Sequence, residues 1–191
     1  MKEMRVLAVR LFLITAIAGL VLAVANSFTA PVIAEQKAQK LAESLREVYS
    51  DAEEFDRLED QEMADIIGEN EAVKEIFTAK SSGEPIGYIF RSLGKGGFGG
   101  KIEFIVAVSN DEEIKGFKVL AHEETPGFGK QCEEAFFEDG VAGNKIDQDL
   151  TAAESPSTDY DIQAISGSTI TTTAILNGLN DTLMIARELV N

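Results

Sequence analysis

The chemistry this chain could support is concentrated in Ser166-Gly167-Ser168-Thr169-Ile170-Thr171-Thr172-Thr173, a stretch dominated by hydroxyl groups. Behind it Ile175, Leu179, Leu183, Ala186 and Val190 recur at helical spacing, so the hydroxyls fall where a helix starts. A helix start presents N–H groups without intrahelical partners together with the positive end of the helix dipole. Both attract an anion, and Gly167 lets a phosphate come close to the main chain. The same residues also suit plain capping, with Ser168 or Thr169 accepting a bond from the first turn.

A second stretch, Ala121-His122-Glu123-Glu124-Thr125-Pro126-Gly127-Phe128-Gly129-Lys130, combines the only histidine, a Pro-Gly turn and a hydrophobic residue between glycines. A rigid loop with donors, acceptors and an aromatic surface suits the orientation of a planar heterocycle. Taken alone, His122 reads first as a structural histidine. No nucleophile is ordered with it as in a hydrolase triad, and Glu123 and Glu124 are not spaced as metal ligands on one helix face. No metal is expected. Cys132 reads as a partly buried, inert thiol, and a single cysteine excludes an internal disulfide and any CxxC site.

Gly94-Lys95-Gly96-Gly97-Phe98-Gly99 fits the GxGxxG pattern after an expected strand. A dinucleotide fingerprint must open a helix that holds the pyrophosphate, whereas Lys101 to Ser109 reads as strand. The glycines are expected to form a tight connection or a bulge, or to admit a close backbone approach.

The elements that must position these stretches can be read from periodicity. Val73 to Lys80 and Pro85 to Leu93 are strands joined by Ser81-Ser82-Gly83-Glu84. Ile102, Phe104, Val106 and Val108 alternate with Glu103, Ile105, Ala107 and Ser109, the period of a strand with one strongly buried face, and Ile114 to Leu120 follows. Four strands with short connections and flanking helices make an antiparallel sheet in an α+β fold. Asp51 to Asn70 is acidic around Phe55, Leu58, Ile66 and Ile67 and reads as a solvated turn-and-helix region.

Leu11 to Ala25 carries no charge, and with Ser27 to Ala30 it reaches the roughly 20 residues that a membrane-crossing helix needs. Lys2, Arg5 and Arg10 precede the span and acidic residues follow it, which places the N-terminus in the cytoplasm and the body outside. A cleaved signal peptide is the competing reading, with Ala23-Val24-Ala25 as a small-x-small site. The apolar run is long for such a peptide and continues past Pro31 into a helical stripe of Leu41, Leu45, Val48 and Tyr49, which favours an anchor. The net charge is −16, and because the first twenty-six residues contribute +2, the remainder carries −18. So acidic a body repels phosphate backbones, and no nucleic acid partner is expected.

Phe98-Gly99-Gly100-Lys101-Ile102, His122 to Gly129 and Ser166 to Thr171, in that order behind one apolar span, resemble the FMN-binding domain family. Within it the likeness is to the G subunits of Rnf electron-transport complexes, with the C subunits of sodium-pumping NADH:quinone oxidoreductases as longer relatives. The resemblance covers nearly the whole chain. It implies residues 1–30 as cytoplasmic N-terminus and transmembrane helix, 31–70 as a helical stalk or docking region, and 71–191 as an FMN-binding domain. In that family the flavin phosphate is esterified to the threonine closing an S-G-A-T motif, which matches Thr169 here. Ser168 stands where the family has Ala and adds a competing hydroxyl; Phe128 replaces Leu and Phe98 replaces Tyr. The resemblance further implies His122, Glu124, Thr125, Phe128 and Gly129 facing the ring, and Ser166, Gly167, Ser168, Thr169 and Thr171 around the phosphate.

A phosphodiester at the helix start would be stabilised by about 0.3 to 2 kcal/mol by the dipole and N–H groups. The implied function is electron transfer within a membrane complex coupling ferredoxin oxidation and NAD reduction to ion transport, with no catalytic activity of the chain alone. The implied partners are the other membrane and peripheral Rnf subunits and a flavin transferase that uses FAD. Two alternatives stay open: a stand-alone extracytoplasmic flavin carrier or quinone-reductase subunit, and a single-pass module that binds an anionic ligand reversibly.

Overall fold

The structure, a computed structural model, describes residues 2–190. It divides into two compact units, the first ending at Leu41 and the second beginning at Ala42. Helix α1 runs over Lys2–Val48 with Pro31 inside it. Among the described residues it is the one helix long and apolar enough to cross a membrane. The hydroxyls in its apolar part are satisfied within the helix: Thr15 donates to Leu11 O at 3.0 Å, Ser27 to Val24 O at 2.8 Å and Thr29 to Ala25 O at 3.1 Å. That arrangement suits a segment surrounded by hydrocarbon, which offers no partners of its own.

The second unit is built on a five-stranded antiparallel meander, β1 (Glu54–Arg57), β2 (Val73–Ser81), β3 (Glu84–Gly97), β4 (Gly100–Ser109) and β5 (Ile114–Ala121), each strand beside the next. Ser82 and Gly83 turn β2 into β3 with φ of 53° and 84°, the left-handed pair that a two-residue hairpin requires. The glycine-rich stretch is the β3–β4 connection. Gly97 pairs with Gly100, and the register slips between Gly94 and Gly97. Both the connection and the bulge expected from the sequence are present, and β4 follows where a dinucleotide site would need a helix.

Two expectations are corrected. The acidic segment after Asp51 contains a strand, β1, before helix α2 (Asp60–Ile67). Its charges hid it: β1 lies at the sheet edge, where Asp56 pairs with Lys80 at 2.7 Å and Arg57 with Glu75 at 3.0 Å, so it needs no alternating apolar face. The β4 strand is also buried on both faces rather than one. Ile102, Phe104, Val106 and Val108 join the principal core, and Ile105, Ala107 and Ser109 on the reverse face are buried as well. The last turns of α1 cover that reverse face. Leu45, Val48 and Tyr49 are buried, a Cβ on Gly116 would stand 2.4 Å from Val48 O, and Tyr49 donates to Ile86 O at 2.7 Å.

The principal face is covered by helix α4 (Thr169–Val190), whose Ile175, Leu179 and Leu183 are fully buried. Contact is backbone to backbone at two glycines. A Cβ on Gly94 would stand 2.5 Å from Ala174 O, and one on Gly178 would stand 2.5 Å from Leu93 O. Between β5 and α4 lie a 3-10 turn (Gly129–Glu133), helix α3 (Ala135–Val141) and a two-stranded parallel pair, β6 (Thr151–Ala153) with β7 (Asp161–Gln163). The Asn180 amide ties this excursion to α4, accepting from Leu150 N and donating to Leu150 O, both at 2.9 Å.

Candidate functional site

The hydroxyls at the start of α4 are not equivalent. Thr172 Oγ1 accepts from Ile165 N at 3.1 Å and donates to Ser168 O at 3.2 Å, holding the entry of the chain into the helix. Thr171 Oγ1 donates to Glu124 Oε2 at 2.7 Å. Ser168 is buried, so its hydroxyl does not stand beside Thr169 as an exposed competitor. Thr169 is exposed, and no hydrogen bond among the described residues engages its hydroxyl. Neither Ser168 nor Thr169 therefore caps through its side chain. Gly167, at φ 71°, makes the turn into the helix in a conformation that suits glycine.

Thr169 opens into a cavity of about 450 Å³ whose lining includes Gly167, Ser168, Ile170 and Thr171 on the helix side and Thr125, Phe128 and Gly129 on the loop side, with Phe98. Phe98 is 75% exposed and Phe128 55%, an unusual cost for two aromatic rings unless something covers them. Phe98 and Ile170 were not among the expected site residues. The signal for Phe98 was available: Gly97-Phe98-Gly99 repeats the pattern of Gly127-Phe128-Gly129.

Three expected site residues lie elsewhere. Ser166 is exposed just before the lining. Glu124 is buried behind the cavity, 6% exposed, with Oε1 accepting from Gly99 N at 2.9 Å and Oε2 from Thr171. His122 borders a different cleft, with Leu93, Lys101 and Glu103. Its Nδ1 accepts from Glu124 N at 2.9 Å, and its Nε2 lies 3.0 Å from Glu133 Oε1 without the alignment of a hydrogen bond. That geometry makes His122 a brace for the loop. Cys132 is fully buried rather than partly so, and burial, with Glu133 and Glu124 nearby, pushes its thiol up to about 12. Such a thiol is inert at neutral pH. No cluster of residues suited to a metal ion occurs among those described.

The donor set fits FMN in a particular way. The aromatic rings offer a surface for a planar ring, and the α4 terminus offers N–H groups to a phosphate. No lysine or arginine is among the lining residues, and a buried carboxylate stands behind them. A free phosphate monoester carrying about −1.5 to −2 charges would meet little compensation here.

Both units of the chain are similar to known proteins. Residues 97–184 match the FMN-binding domain family, and residues 1–48 match the RnfG N-terminal region. The chain is 29% identical over 186 residues to the G subunit of the Na(+)-translocating ferredoxin:NAD(+) oxidoreductase complex of Acetobacterium woodii, covering 94% of this chain and 89% of that one. It is also 29% identical over 165 residues to the G subunit of the proton-translocating ferredoxin:NAD(+) oxidoreductase complex of Clostridium ljungdahlii, covering 86% and 82%. The fold is similar to that of the crystal structure of NqrC from Shewanella oneidensis, with a TM-score of 0.53 at 22% identity over 61% of this chain and 58% of that one.

Proposed function

We propose that this chain, an RnfG-type N-terminal region joined to an FMN-binding domain, is the membrane-anchored flavin subunit of an ion-translocating ferredoxin:NAD oxidoreductase complex, with FMN held as a phosphoester of Thr169. The observation that carries the attachment site is the Thr169 hydroxyl, exposed and unbonded at the start of α4 and opening into the cavity lined by Phe98 and Phe128. Bound flavin supplies the electron-carrying chemistry; the chain supplies position, an apolar surface and exclusion of water. Thr125, Phe128, Gly129 and Phe98 would hold the ring, and Gly167, Ser168 and Thr171 would shape the surroundings of the ester.

Lys2, Arg5 and Arg10 before the span support a cytoplasmic N-terminus, with the flavin domain on the opposite side. A covalent link would keep the site filled there whatever the affinity for the ring. Maturation needs a separate flavin transferase, and function needs the other membrane and peripheral subunits of the complex. The reading of a module that binds an anion reversibly is weakened by the lack of a basic residue in the lining.

Intact mass of the chain from its host membranes, with in-gel flavin fluorescence after denaturing electrophoresis, tests the attachment. An FMN-sized adduct that disappears in Thr169→Ala is expected. A chain without the adduct, or an adduct that persists in Thr169→Ala, would remove the claim.

A further inference from the structure

We infer that Glu124 is a positioning residue that holds the attachment hydroxyl ready for its ester, an inference that rests on Thr169 being the attachment site. The Glu124 side chain is buried, and its carboxylate joins segments far apart in sequence: Oε1 accepts from Gly99 N in the β3–β4 connection, and Oε2 accepts from Thr171 Oγ1 in the first turn of α4. Glu124 itself belongs to the loop after β5. One carboxylate therefore fixes the three segments that enclose the cavity. Burying such a group is expensive unless its oxygens are satisfied, and here both are.

The chain around Glu124 is cut back to admit it. A Cβ on Gly97 would stand 2.5 Å from Oε1, and a Cβ on Gly129 would stand 2.5 Å from Oε2 and 2.6 Å from Thr171 Oγ1. Gly99, which supplies the donor, could not carry a side chain either, because its Cβ would come to 2.0 Å from Glu123 O. The glycines of the GxGxxG-like stretch and of the Pro-Gly loop thus converge on one acid. Two residues apart on a helical turn, Thr171 and Thr169 point to different sides. With Thr171 drawn inward to Glu124, at 1% exposure, Thr169 is left facing out into the cavity.

In the loading step Thr169 Oγ1 forms a bond to the phosphorus of FAD on the flavin side, the pyrophosphate bond breaks, AMP leaves, and the hydroxyl proton passes to a base of the transferase. Glu124 takes no part in that exchange of bonds. It fixes the turn from which the hydroxyl is presented, so its loss lowers the rate of loading without changing the residue loaded.

The test uses the full-length chain co-expressed with its flavin transferase, reading flavin per chain over time by intact mass and in-gel fluorescence. Glu124→Ala and Thr171→Val are expected to slow loading at least tenfold, with Thr171→Ser restoring most of it. Glu124→Gln keeps an acceptor for Gly99 and should load at a rate between the two. It should also raise the midpoint potential of the loaded flavin, because a negative charge is removed near a group that gains electrons on reduction. Thr171→Val decides the matter if Glu124→Ala fails to fold. Loading of Thr171→Val at the wild-type rate, together with an unchanged potential in Glu124→Gln, overturns the inference while leaving Thr169 as the attachment site. A wild-type chain with no flavin on Thr169 overturns the functional reading and this inference together.

Discussion

The Phe128 ring lies 3.5 Å from the position that a Cβ would take on Gly167. The contact joins the loop after β5 to the residue that turns the chain into α4, on the edge of the cavity into which Thr169 opens. Gly167 stands at φ 71°, a conformation that costs an L-residue roughly 1–2 kcal/mol. Gly167→Ala should therefore lower the melting temperature by about 2–8 °C. Gly167→Asn should lose less, since asparagine tolerates the left-handed region. Thermal melts of the detergent-solubilised chain measure both, and equal losses in the two variants would contradict a backbone cause.

Gly178 and Gly94 let α4 lie directly on β3. Substituting alanine at either should cost about 1–3 kcal/mol in urea denaturation, because the clash is with main-chain oxygen at 2.5 Å and no flexible side chain can yield. The double variant should lose less than the sum of the two, since either methyl group alone already lifts the helix from the sheet. Strict additivity would mean that the two contacts are independent.

Tyr49 gives the second unit an alkaline limit. Its hydroxyl donates to Ile86 O at 2.7 Å, and burial, reinforced by Asp51, Asp111 and Glu113, pushes its pKa from 10.0 to about 12. The folded value is raised, so this contribution to stability is complete below pH 10 and is lost as pH rises towards 12. Tyr49→Phe should reduce stability by about 1–3 kcal/mol at neutral pH, because it leaves the Ile86 carbonyl unsatisfied. It should also flatten the decline of stability above pH 10. An alkaline limb identical to that of the unaltered chain would assign it to other groups.

The central sheet and the last helix were legible because their signals are local. The alternation of Ile102, Phe104, Val106 and Val108 and the spacing of Ile175, Leu179 and Leu183 each report a face pressed against the core. The start of α4 was legible as a site for the same reason, since the hydroxyls lie together in sequence. What could not be read were relationships set by packing between distant segments. The reverse face of β4 is buried only because the end of α1 covers it, and nothing within Lys101 to Ser109 announces that partner. Edge strand β1 is held by ion pairs rather than by an apolar stripe. Strands β6 and β7 have three residues each, too short for a period to show.

The site residues divide along the same line. Thr125, Phe128, Gly129 and Thr171 meet Thr169 at the cavity, whereas Glu124 and His122, adjacent to them in the motif, turn into the loop's own support. A motif records which residues are needed together. It does not separate those that would touch a ligand from those that hold the ones that do.

The order of the elements along the chain has one more consequence. The carboxylate, the glycine turn and the hydroxyl come together only when α4, encoded after every strand of the sheet, has arrived and settled. A polypeptide interrupted before that point lacks the first turn of α4 and leaves the Glu124 carboxylate without one of its two partners. Thr169 therefore gains its surroundings last, once every strand of the sheet is already in the chain.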